Sequence, residues 1–121
     1  MAQTARVEEN LVPGQTVYEQ LTNFDHAGGV FNVAGNVGLF IPLGWLVTLI
    51  VRRRRLLTAT IAGASLSVAI ELVQSVIGRV ADIDDVILNG VGAFLGAGIA
   101  LLIQSARRQS SPVARATPDR R

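Results

Sequence analysis

The chain has no cysteine and no lysine, one histidine, and few aromatic side chains. Without cysteine there is no disulfide framework and no thiolate chemistry. His26 sits in a loop segment and reads as a solvated residue rather than a ligand or base. Every one of the 11 basic residues is arginine, which we read as codon bias in a GC-rich bacterium. The formal net charge of +2 comes without the aromatic platforms that single-stranded nucleic acid requires, so no nucleic-acid partner is expected. Residues 1–29 hold no apolar core segment of the kind a signal peptide needs.

Charge is also missing from long stretches of chain. Val33 to Val51 and Val86 to Ala106 carry none, and Leu56 to Gly78 carries only Glu71. About 20 consecutive apolar residues span a bilayer core, so the expected fold is all-α: an integral membrane bundle of three transmembrane helices forming hairpins. The expected boundaries are residues 30–51, 56–78 and 85–106, inside a transmembrane domain at 30–106. A soluble core of three such buried helices is disfavoured, because a chain of this length encloses too small an interior.

All the arginines but Arg6 and Arg79 fall in two places: Arg52, Arg53, Arg54 and Arg55, and the tail after Ala106. Short arginine-rich loops stay in the cytoplasm, so the N-terminus is expected outside and the C-terminus in the cytoplasm. Residues 1–29 form an extracytoplasmic segment with a short interfacial helix near Gln15 to Asn23. Residues 107–121, rich in Arg, Ser and Pro, form a disordered basic tail. The expected location is the bacterial plasma membrane, crossed several times, with the lipid bilayer as the first partner.

Polar residues recur on these helices at helical spacing. Thr60, Gly63, Ser67, Glu71, Gln74 and Gly78 share one face, as do Asp85, Asn89, Gly92 and Gly96. Asn32 and Asn36 lie one turn apart on the first helix. The arginine-derived orientation puts Asn36, Glu71, Gln74 and Asn89 at one outer level, beneath the loop carrying Arg79, Asp82, Asp84 and Asp85. Gly92-x-x-x-Gly96 and Gly63-x-x-x-Ser67 let backbones approach closely, either as the wall of a polar pocket or as ordinary helix association. Pro42 removes a backbone donor and is expected to bend the first helix.

Glu71 is costly in hydrocarbon and needs a partner, water or a proton; Arg79 folding back from the loop and Gln74 one turn away are the candidates. It reads either as a hydrogen-bond anchor or as part of a ligand or proton site. Asp84 or Asp85 would cap the third helix, which leaves Asp82 and Arg79 unexplained. Oxygen-rich clusters suit hard cations, yet no established metal-ligand spacing is present, and neither a metal nor a cofactor is expected.

Asn36-Val-Gly-Leu-Phe-Ile-Pro42-Leu-Gly44 resembles the N-x-x-L-F-x-P-L-G stretch of VanZ-like membrane proteins. Ile70-Glu71-Leu-Val-Gln74 resembles their I-E-x-x-Q step. Gly78-Arg79-x-x-Asp82-Ile-Asp84-Asp85-x-x-x-Asn89-x-x-Gly92 resembles their G-R-x-x-D-x-D-D-x-x-x-N-x-x-G segment. Asn10-Leu-Val-Pro13 is similar to the N-L-[IV]-P stretch that precedes the second helix of fuller members, so the resemblance implies either a member truncated before that stretch or a sequence whose start is placed after the family's first transmembrane helix. The founding member is linked to resistance to the glycopeptide teicoplanin. The resemblance thus implies a cell-envelope protein, and antibiotic resistance of the glycopeptide type as one role.

Three functions follow. A non-enzymatic protein would bind an amphiphilic or lipid-linked ligand through Asn36, Glu71, Gln74, Arg79, Asp82, Asp85 and Asn89. An intramembrane enzyme would use Glu71 as acid or base on a lipid-linked substrate, though no nucleophile is paired with a base. A structural subunit would assemble as a homo-oligomer or with another membrane protein through Gly63, Ser67, Gly92 and Gly96.

Overall fold

A computed structural model describes residues 11–22 and 27–110. Asn10, His26 and the tail beyond Ser110 lie outside the described residues. Four helices follow in order: α1, Gln15–Thr22; α2, Ala27–Ile50; α3, Arg55–Val76; and α4, Ile83–Gln109. The last three are long and apolar enough to cross a membrane.

The boundaries follow from local chemistry. Gly78 takes a left-handed conformation (φ 84°), which costs glycine little because it has no Cβ. The Arg79 amide then donates to the Gln74 carbonyl (3.0 Å) and the Gly78 amide to that of Ser75 (3.1 Å), closing α3 with a Schellman turn. Gly78 is therefore the stop signal after α3, not its last helical residue. At the other end of α3, Arg54 is left-handed (φ 48°) and only residues 51–54 separate α2 from α3. α2 continues through Pro42, and α4 runs past Ala106 so that Arg107 and Arg108 form its last turn.

Small residues set the packing. α2 and α4 share the most extensive contact, and α3 leans mainly on α4. A Cβ added at Gly92 would overlap the Val37 carbonyl, one at Gly96 the Ile41 carbonyl, and one at Gly44 the Ala93 carbonyl. Backbone thus meets backbone at three points of the seam, the geometry that glycine permits in membrane helices. The matched order Val37–Gly92, Ile41–Gly96 makes α2 and α4 parallel, with α3 antiparallel to both. Gly63 of α3 faces the Ala93 methyl group.

The interior is made of Phe40, Ala59, Ala93, Ala97 and Ala100, together with Thr48, Ser67, Glu71, Asp84 and Asn89. The large aliphatic side chains point outward: Ile50 is 80% exposed and Val76 87% exposed. In water this distribution would leave far too much apolar surface uncovered. It suits a bundle whose solvent is hydrocarbon, where small residues and hydrogen bonds join the helices.

Candidate functional site

The polar side chains gather at the end of the bundle opposite the arginine loop. The turn at residues 77–82 folds α4 back beside α3, which puts the Asp82 amide within 3.1 Å of a Glu71 carboxylate oxygen. Asp82 is the N-cap of α4, and its own carboxylate accepts from the Asp84 amide (3.0 Å). The cap is thus the first aspartate of the loop, one that the sequence leaves without a role. Asp85 accepts from the Asn36 amide side chain across the α2–α4 seam (2.7 Å).

Asp84 does something sequence reasoning missed. It is 1% exposed, and its carboxylate accepts from the backbone amides of Gly14 and of Val17 (3.1 Å for the latter). These are the free N–H groups that begin α1, which carries no side-chain cap of its own at Gly14. A carboxylate there also opposes the positive end of the helix dipole. A legible signal exists: a helix start at Pro13-Gly14-Gln15 offers no strong capping side chain, so its acceptor must come from elsewhere. Gly44 was also passed over as a packing residue, although it closes the proline-containing motif of α2.

One turn below this layer the Asn89 side chain donates to the Ser67 hydroxyl (2.7 Å). Asn89 is 6% exposed, and its side-chain oxygen has no partner. The expected single polar level is therefore two levels, separated by about one helical turn, about 5 Å. Glu71 and Asp82 belong to the upper one, Ser67 and Asn89 to the lower. Gln74 is half-buried, and its backbone oxygen, already used in the Schellman turn, is its recorded contribution. Arg79 is exposed and forms no ion pair with Glu71; of the two candidate partners neither is used, and the Asp82 amide donates to Glu71 instead. Among the described residues, no three carboxylates converge so as to hold a metal ion.

An open groove of about 270 Å³ runs between α3 and α4 at this end. Leu11, Val68, Leu72 and Val86 give it apolar walls, and Glu71 and Asp82 supply its polar end. Such a groove accepts the apolar part of an amphiphile and offers carboxylates to its hydrogen-bond donors. Among the described residues no arginine lines it.

Neither the curated proteins nor the solved structures include a match to this chain. The family model described as VanZ/LLP1 matches residues 1–104, a stretch that takes in α1, all but the last turn of α4, and every side chain of the polar end. With three helices fit to span a bilayer, this chain is a multi-pass membrane protein that belongs to the VanZ/LLP1 family.

Proposed function

We propose that the chain is a plasma-membrane protein of the bacterial envelope. It binds an amphiphile, either a glycopeptide tail or a lipid-linked cell-wall precursor, at the extracytoplasmic end of the bundle. One observation carries the reading: a groove with apolar walls ends on two carboxylates, Glu71 and Asp82, in a region otherwise fit for lipid. An ionisable side chain at membrane depth is rare and marks function by default. Membership of the VanZ/LLP1 family, whose founding member is linked to teicoplanin resistance, is what supports glycopeptide tolerance as the biological output. Gln74 and Arg79 do not line the groove; on this reading they meet the ligand's polar head beyond it.

Glu71→Gln keeps an acceptor for the Asp82 amide but removes the charge. In a strain that the parent protein protects from teicoplanin, Glu71→Gln and Arg79→Ala lower the inhibitory concentration at undiminished membrane abundance. Unchanged susceptibility in both variants would refute the proposal. The orientation is tested separately. Because the chain has no native cysteine, single cysteines at positions 53 and 82 report cleanly to a maleimide that cannot cross the bilayer. Position 82 is expected to be labelled and position 53 spared; the reverse result inverts the topology.

A second reading has its own support, because Asp82, Asp84 and Asp85 each have a partner within the chain. On that reading the polar end is a lock that holds four helices together. It predicts that substitutions at Gly63, Gly92 and Gly96 abolish any phenotype while Glu71→Gln has none.

A further inference from the structure

We propose that the opposite, arginine-rich end of the bundle is a binding site for an anionic phospholipid. Its phosphate lies between Arg55 and Arg108, and an acyl chain lies along α4. A groove of about 590 Å³ has Leu56, Phe94, Leu101 and Leu102 as its walls and both arginines at its mouth. A second groove of about 540 Å³ shares Arg55, Leu56, Leu101 and Arg108 and adds Arg52 and Arg54. One apolar track, the first groove, therefore ends at a cluster of guanidinium groups, and the second groove, with four arginines to three leucines, extends that cluster around the headgroup.

Among the described residues no carboxylate lines either groove, so the described walls supply the arginines with no counter-ion. Arg55 is half-buried, and it donates one hydrogen bond to the Gln104 side chain (2.7 Å). That bond orients the guanidinium and leaves its other N–H donors for a phosphate, which the planar fork suits. Depth agrees as well. Phe94 and Arg108 are about 20 Å apart along the helix, enough to follow a chain through one leaflet of about 15 Å. An acyl chain enters this groove sideways from the bilayer without leaving hydrocarbon. A free phosphate would satisfy the arginines and leave the apolar walls uncovered.

Gly98 supplies a direct test, since an added Cβ there meets nothing within 4 Å. Gly98→Leu fills the groove without disturbing the α2–α4 seam. Arg53 is exposed and lines neither groove, so Arg53→Gln is the control for loss of a nearby arginine charge, matched in charge by each of the single variants Arg55→Gln and Arg108→Gln. The full chain is placed in nanodiscs of equal phosphatidylglycerol and phosphatidylcholine, released, and read by native mass spectrometry, with thermal melts to verify folding. The parent and Arg53→Gln are expected to retain phosphatidylglycerol over phosphatidylcholine. Arg55→Gln/Arg108→Gln loses that preference about tenfold or more, and Gly98→Leu loses retention of both lipids. An equal loss in Arg53→Gln, or none in the double variant, overturns the site in favour of diffuse surface charge. Retention of inorganic phosphate by the detergent-purified parent, undiminished in Gly98→Leu, overturns the lipid as its occupant.

Discussion

The two ends of the bundle solve opposite electrostatic problems. At one end the carboxylates of Glu71, Asp82, Asp84 and Asp85 turn inward and accept hydrogen bonds from the chain itself. At the other, Arg52, Arg53 and Arg54 stay exposed, and only Arg55 is drawn inward, by Gln104. A short carboxylate cannot reach past a helix end to water, whereas a long arginine side chain can lay its stem on apolar surface and keep its charge at the interface. The acidic end is therefore built into the fold, and the basic end is left free to meet the membrane. Loss of one charge should cost stability at the first end and little at the second.

That contrast can be broken most severely from between the two ends. Gly96→Val pushes a side chain into the Ile41 carbonyl and forces α2 and α4 apart, which separates Asn36 from Asp85 as well. Overpacking of this kind costs about 3 kcal/mol or more, and the variant is expected to be lost from the membrane fraction or to melt at least 10 °C lower in detergent. Asp84→Ala comes next. It strands the amides of Gly14 and Val17 at a cost of about 1–3 kcal/mol, and hydrogen exchange should rise across Gln15–Thr22 while α3 and α4 stay protected. Equal deprotection of all four helices would mean that Asp84 holds the whole bundle rather than α1.

Asn89→Leu has a smaller effect. It removes the bond to Ser67 together with an unpartnered oxygen; polar contacts between membrane helices average about 0.6 kcal/mol, so a melt within about 2 °C of the parent is expected. Arg53→Gln is the smallest, within about 0.5 kcal/mol. A large loss from Arg53→Gln would show that the arginine end is part of the fold after all, and the comparison would fail.

Much of this architecture is legible in the residues. Run length alone marks three helices, because hydrocarbon tolerates almost no charge. The four-residue recurrence of Gly92 and Gly96, and of Ser67 and Glu71, marks inward faces because the α-helix repeats every 3.6 residues. The family motifs coincide with those faces. Which aspartate does what is not legible: Asp82, Asp84 and Asp85 differ only by a residue or two in position, yet one caps α4, one docks α1 and one joins α2.

The sequence by itself determined that the chain suits a membrane, how many of its helices are long and apolar enough to cross one, and where its charges cluster. Those outcomes depend on local composition and spacing. Only the tertiary structure decided that Glu71 answers the Asp82 amide rather than Arg79, that Asp84 reaches back to Gly14, and that Gly44 is as tightly placed as Gly96. A hydrogen bond or a backbone contact depends on which atoms come within about 3 Å of each other, and for residues on different helices the separation along the chain does not set that distance.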